Sequence, residues 1–224
     1  MKLLSTFLRF FFRHLYTTFA CAYDLVAMTT SMGQWGTWQT AALDVLPHQG
    51  RVLEVGHGPG HLLKHRALEG CIDFGVDVST QMGRIAYKRM RVAGFQPHLV
   101  RAQAQALPFA SASFQAIYAT FPSEFILAPE TLASFQRVLR SDGSLVVVPM
   151  ARITGRSLPD RWAAWLYSIT GQSRDIGTGW KKLLQDSGFH GTLERVQQPR
   201  AEVYRLIATK LPTQDGFAGP DGTH

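Results

Sequence analysis

Cysteine is scarce in this 224-residue chain: Cys21 and Cys71 are the two present, far apart and in no CxxC arrangement. That argues against a disulfide framework and against a paired-cysteine zinc site, and it suits a reducing, cytoplasmic compartment. Acidic charge is also short. Asp and Glu number 16 against 23 Lys and Arg, a formal charge of +7. The balance favours anionic surroundings without naming one, and most basic proteins of this size simply carry a solvated positive surface. Long apolar runs are missing too. A membrane-spanning helix needs about 18 or more uninterrupted apolar residues, and the apolar amino terminus, MKLLSTFLRFFFRHLYTTFACAYDLV, is broken by Arg9, Arg13 and His14. A secretory signal would have a cleaner apolar stretch and a small-residue cleavage site. Internal repeats are absent. What the chain does have is 46% hydrophobic residues, enough for a sizeable core and incompatible with global disorder.

Helical spacing accounts for the amino terminus. Leu4, Leu8, Phe11, Leu15 and Phe19 share one face, and Lys2, Thr6, Arg9, Arg13 and Thr17 follow a second stripe. This predicts an amphipathic helix with a basic side. It either packs on its own domain as a lid or lies in a lipid interface with arginines at the headgroups. Residues 1–46 are thus expected to be a helical cap or membrane-interface segment, 47–210 a core, and the Gly/Pro-rich 211–224 a disordered tail.

From Pro47 the chain alternates strand-like and helix-like stretches. RVLEV (51–55), CIDFGVDV (71–78), QPHLVRA, SFQAIYATF (113–121) and SLVVVPM read as strands. The helices are GHLLKHRALEG, a segment capped by Ser79, one opened by Pro129, and one over about 176–187 ending at Gly188. Two final strands near 190–197 and 202–208 read as antiparallel. Such alternation predicts an α/β fold, a mostly parallel sheet with helices on both faces and its ligand at the carboxyl ends of the strands.

VLEVGHGPGHL (52–62) ends the first strand with Gly56, Gly58 and Gly60 at GxGxG spacing. A dinucleotide fingerprint would be GxGxxG, and His61 occupies the place of its third glycine. No Gly-Lys-Ser/Thr follows, so a P-loop is excluded. Asp77 ends the second strand, where a carboxylate can accept from ribose hydroxyls, and Glu54 lies two residues before the first glycine. A second acid there disfavours phosphate and favours a cationic amino group. The ligand indicated is a positively charged nucleoside without phosphate, and S-adenosylmethionine fits. His57, His61 and His65 recur every four residues, but His57 is in the turn and no Cys or carboxylate completes a set, so no metal is expected.

The chain resembles the class I S-adenosylmethionine-dependent methyltransferases. LEVGHGPG resembles their first motif, GVDVS the second, ALPFASASFQAIYATF the third and fourth, and RVLRSDGSLVVV the helix-turn-strand that follows. The resemblance covers roughly Val52 to Lys210 and implies a Rossmann-like seven-stranded sheet whose last strand is antiparallel. It also implies that Glu54, Gly56, Gly58 and Gly60 line the methionine end of the cofactor, that Asp77 binds the ribose, and that Ser79 and Met82 border the adenine. Gln103 stands where the family often has Asp, and Gln115 replaces the Asp of a common FD pair. YDLVAMTTSMGQWGTW (23–38) resembles the lead-in segment of the ubiquinone/menaquinone biosynthesis C-methyltransferases, a hint toward an apolar, lipid-like acceptor.

Methyl transfer from a sulfonium is an in-line displacement from an activated donor, so the absence of a catalytic dyad does not count against an enzyme. Candidates for a base or positioning group are His57, Tyr23, Tyr118 and Glu124. A turn histidine pointing to solvent is the plainer reading of His57, and core packing the plainer reading of Tyr118. WAAWLYSITGQS (162–173) is either an acceptor pocket or ordinary helix packing. RIAYKRMR (84–91) is read first as a solvated helix face. Three functions compete: methyl transfer to a small or lipid-soluble acceptor by a protein peripherally attached to the membrane, a non-catalytic S-adenosylmethionine-binding module, and, ranked last, a nucleic-acid methyltransferase, for which no RNA-binding module or base-flipping box is visible.

Overall fold

A computed structural model describes residues 34–155 and 179–211. The amphipathic helix of residues 1–20, Tyr23, the aromatic stretch 162–173 and the tail after residue 211 lie outside the described residues. The described chain begins with a short helix α1 (Trp35–Gln39) that runs into a 3-10 segment, Thr40–Val45. Then follow β1 (Val52–Val55), α2 (His61–Leu68), β2 (Asp73–Asp77), α3 (Thr80–Val92), β3 (His98–Arg101), β4 (Phe114–Thr120), α4 (Pro129–Val138), β5 (Leu139–Ile153), α5 (Trp180–Asp186), β6 (Phe189–Gln198) and β7 (Ala201–Lys210).

The strands form one seven-stranded sheet in the order β3-β2-β1-β4-β5-β7-β6. The first five run parallel, and β7 is antiparallel to both its neighbours, as expected from the sequence. The chain builds outward from β1 through β2 to β3, then crosses over to β4 and β5. The strand order therefore reverses beside β1, where sheets of this kind open a crevice.

Side-chain alternation sorts the core into two faces. Leu53, Ile117, Leu145, Val147 and Leu206 pack with Leu132, Phe135 and Val138 of α4 and with Trp180 and Leu184 of α5. Val52, Ala116, Tyr118, Val146, Val148 and Val203 pack with Trp38, Ala41, Ala42 and Leu46 on the other side. Burial on both faces explains why β1 and β4 read as continuous apolar runs rather than alternating ones. Capping follows the sequence as well: the Ser79 hydroxyl accepts from the Met82 amide at 3.3 Å, and Pro129 opens α4 at a position needing no amide proton.

One element is longer than its sequence indicates. β5 was expected to end near Met150, yet it continues to Ile153, because residues 150–153 pair with 201–204 of β7 after a break in register. The pairing partner lies about fifty residues downstream, beyond any local signal.

The segment before β1 is fastened by charge as well as by Trp38. Arg205 of β7 donates to the Ala41 carbonyl at 2.8 Å and to Glu194 at 2.7 Å, and it pairs with Asp44. Deeper in the molecule, Arg66 of α2 is 1% exposed and bridges Asp73 of β2 through Nε at 2.5 Å and Nη2 at 3.1 Å; Nη2 also donates to the Pro47 carbonyl at 2.8 Å. Arg66→Met removes the cation and leaves a buried carboxylate. It is expected to lower unfolding free energy by about 3–5 kcal/mol, measured by urea denaturation.

Candidate functional site

The carboxyl ends of the parallel strands enclose a cleft of about 1050 Å³. Val55 and Gly56 end β1, Asp77 ends β2, Gln103 follows β3, and Thr120 and Phe121 end β4; all line it. The glycine turn that follows β1 is anchored to β2, since the Gly56 and His57 amides both donate to the Val76 carbonyl, at 2.8 and 3.3 Å. Gly56, Gly58 and Gly60 have φ of 73°, 51° and 77°, in the left-handed region.

The three glycines serve two different purposes. A Cβ on Gly56 or Gly58 would meet no atom within 4 Å, whereas one on Gly60 would come within 2.8 Å of the Ala86 side chain. Gly56 and Gly58 also line the cleft, so their bareness leaves room for a ligand against the backbone. Gly60, outside the cleft lining, lets α3 pack closely on the turn. Arg89 of α3 strengthens that contact by donating to the Pro59 carbonyl, and Arg84 lines the cleft. The basic run 84–91 is thus more than a solvated face.

Asp77 is the one carboxylate among the described cleft-lining residues. Its Oδ2 accepts from the Gly58 amide at 2.9 Å and its Oδ1 from the Ser79 amide at 2.8 Å. One acid therefore shapes the turn and the start of α3, and each oxygen keeps acceptor capacity for a diol. Ser79, Met82 and Gln103 line the same cleft.

Glu54 is placed differently from the expectation that it lines the methionine end. It is not among the cleft-lining residues and lies buried beneath the turn. The reason is register: Glu54 sits directly opposite Tyr118 in the β1–β4 pairing, so both side chains rise from the same face of the sheet. The Tyr118 hydroxyl is 3.1 Å from Glu54 Oε2 and 3.3 Å from Asp73 Oδ2. One phenolic proton can be donated to only one of two carboxylates, so the chain is completed when Glu54 carries a proton of its own. Burial pushes the Glu54 carboxyl well above the usual range, helped by Asp73 and Asp77 and opposed by the Tyr118 hydrogen bond and by Arg66. Tyr118, read from the sequence as core or base, is both buried and hydrogen-bonded here, and its phenol is pushed up by burial and by Glu54.

His57 does not point to solvent. It is 4% exposed, lines the cleft and packs over Gly75, where a Cβ would come within 2.9 Å of the imidazole. Its Nδ1 lies 2.7 Å from the Gly58 carbonyl, which fixes the proton on Nδ1 and leaves Nε2 as an acceptor. Burial lowers its pKa, against the pull of Asp77. Glu124 opens a one-turn 3-10 segment, Glu124–Leu127, just beyond β4; its side chain, like the whole of Tyr23, lies outside the described residues.

Two cleft features were not singled out in the sequence. Gln39 lines the cleft and donates to the Thr120 hydroxyl at 3.4 Å. Phe121 has φ of 48°, uncommon for an aromatic residue, and stacks on Trp35 at 4.3 Å between ring centroids. The QWGTW stretch (34–38) was the available signal: it places Trp35 and Trp38, and Gln39 directly after them, against the end of β4.

The residues present fit S-adenosylmethionine. Two glycines leave the turn's backbone open to the cleft, a braced carboxylate lines it at the end of β2, and no phosphate-loop sequence follows the turn. Comparison with known proteins agrees. Residues 52–143 match the family model described as a methyltransferase domain. A demethylmenaquinone methyltransferase of Thermus thermophilus is 31% identical over 140 residues, 60% of this chain and 63% of that protein. A malonyl-acyl-carrier-protein O-methyltransferase of Enterobacter lignolyticus is 31% identical over 116 residues, 51% of this chain and 43% of that protein. The chain thus spans less than two thirds of these relatives' length. Among solved structures, the cyclase SpnF superposes with a TM-score of 0.61 at 19% identity, covering 80% of this chain and 82% of that one.

Two measurements test the site. Glu54→Gln keeps the shape and removes the ionisation. A carboxyl whose folded pKa is raised stabilises the protein below its unfolded pKa of about 4.3 and loses that contribution as pH climbs through the folded value. Thermal denaturation from pH 5 to 8 is therefore expected to show a stability advantage for Glu54→Gln that widens with pH. Gly58→Ala should cost about 1–2 kcal/mol from the left-handed backbone and should also fill the cleft, so calorimetric affinity for S-adenosylmethionine falls by more than that of an equally destabilised variant outside the cleft. By motif series, strand order and domain match, the chain resembles the class I S-adenosylmethionine-dependent methyltransferases, and its residues 52–143 match a methyltransferase domain.

Proposed function

We propose that this protein transfers the methyl group of S-adenosylmethionine to a small or lipid-soluble acceptor, quinone-like or lipid-like in character. The observation that carries the reading is Asp77, a carboxylate at the end of β2 with both oxygens oriented by backbone amides of the glycine turn and of α3, facing a cleft sized for a nucleoside. The cofactor supplies an activated methyl on a positively charged sulfur. The chain's own contribution is position: the bare backbone at Gly56 and Gly58 receives the amino-acid end, Asp77 holds the ribose hydroxyls, and Ser79, Met82 and Gln103 border the base. Alignment supplies much of the acceleration.

An apolar acceptor is supported by the side of the cleft opposite the base site, where Phe121, Pro122 and Phe125 follow β4, and by the names of the demethylmenaquinone relatives. Glu124, at that mouth, and His57, with Nε2 free to accept, are the groups in this reading that take or orient an acceptor proton. Tyr23 is proposed beside them as a candidate base or positioning group. Among the described residues no helix is long and apolar enough to cross a membrane; residues 1–20 are proposed to attach the protein peripherally to a lipid surface from the cytoplasmic side.

The superposition with a cyclase supports a second reading, cofactor binding without methyl transfer, since one fold hosts several chemistries. Asp77→Asn is expected to weaken S-adenosylmethionine binding by about 10- to 100-fold, the range for one charge-assisted hydrogen bond. The function itself is tested by incubating the protein with methyl-labelled cofactor and a cell extract split into lipid, protein, nucleic-acid and small-molecule fractions. Label in the lipid or small-molecule fraction is the expected result, binding without label favours the second reading, and label in nucleic acid overturns the acceptor assignment.

A further inference from the structure

At the opposite edge of the sheet from the cleft, before β1 and β2 begin, three chemically different donors converge. His48 lies in the loop leading to β1, Glu69 caps the end of α2, and Cys71 follows Gly70 on the way into β2. A ligating atom from each lies within 4.8 Å of the others. The Cys71 sulfur is 3.8 Å from His48 Nδ1. Two donors on a tetrahedral zinc ion, at about 2.3 Å for sulfur and 2.0–2.1 Å for nitrogen, stand about 3.6 Å apart. The pair is therefore already near coordination spacing. A fourth residue steadies the set: His65 Nε2 is 3.3 Å from Glu69 Oε1, one turn back on α2. An imidazole bracing a carboxylate is a common arrangement behind metal ligands. His48 and Glu69 are exposed, giving an ion a route in, while Cys71 is buried behind them.

We propose that His48, Glu69 and Cys71 form a binding site for a divalent transition metal of zinc type, with the fourth coordination position open to water. One thiolate, one imidazole and one carboxylate select a borderline-soft ion over calcium or magnesium, which prefer all-oxygen sets. Coordination replaces the thiol proton, which leaves to solvent as the sulfur–metal bond forms. The ion would join the 47–50 loop to the α2–β2 turn, next to the bond by which Arg66 of α2 already holds the Pro47 carbonyl. It takes no part in the cleft chemistry. The histidines spaced at 57, 61 and 65 supply only the bracing member.

The test uses the full chain stripped with a chelator and titrated with zinc and with cobalt. Uptake of one ion per chain, a thiolate-to-cobalt charge-transfer absorption and a higher melting temperature with zinc are expected. Cys71→Ser should abolish the absorption. His48→Ala, at an exposed loop position that leaves folding intact, should weaken uptake at least tenfold, while His190→Ala, on β6, should leave it unchanged. A folded protein that takes up no ion, or uptake that survives both Cys71→Ser and His48→Ala, overturns the site.

Discussion

Beneath the glycine turn, four polar side chains run in line through an apolar interior: Arg66, Asp73, Tyr118 and Glu54. They come from α2, β2, β4 and β1, the elements that meet where the sheet changes direction. Each alone would carry a large desolvation cost, and together they offset much of it, although one terminal nitrogen of Arg66 is left without a hydrogen-bond partner. Their hydrogen bonds fix the relative height of three adjacent strands, and with it the height of the strand ends from which the cleft is made. A slip of β1 against β4 by one residue would bury Leu53 opposite the phenol and turn Glu54 into the other half of the core. The cleft inherits its geometry from this buried chain.

Much of the fold was legible because its signals are local. Glycine after strand, Ser79 as a cap and Pro129 at a helix start all act within a few residues, and the structure places them as read; Asp142-Gly143, read as the turn before a strand, lies inside β5 instead. The extension of β5 past Met150 was not legible, because its partner is β7 and the pairing has no local signature. Glu54 shows the same limit at the site. An acid two residues before a glycine turn suggests a ligand contact, but a strand residue's direction is set by its alternation, and that was decided by Tyr118 on a strand sixty residues away. Asp77 was legible because it sits at a strand terminus, where the chain turns and the side chain has only the cleft to face.

His57 illustrates how one neighbour changes a residue's character. A histidine in a turn is ordinarily wet, yet the missing side chain at Gly75 makes a recess that takes the imidazole in. The ring is then held by the Gly58 carbonyl and kept neutral by burial. Glycine at 75 is a strand residue with ordinary backbone angles, and its value lies in the space it yields rather than in any turn.

The stacked pair of Trp35 and Phe121 has a mechanical meaning. Phe121 is the hinge point at which β4 gives way to the mouth of the cleft, and its left-handed backbone is held in place from above by a ring from the far amino-terminal side. The segment before β1 is therefore a keystone: remove the Trp35 indole, and the aromatic residue that ends β4 loses its stacked ring and keeps the tilted contact with Trp38.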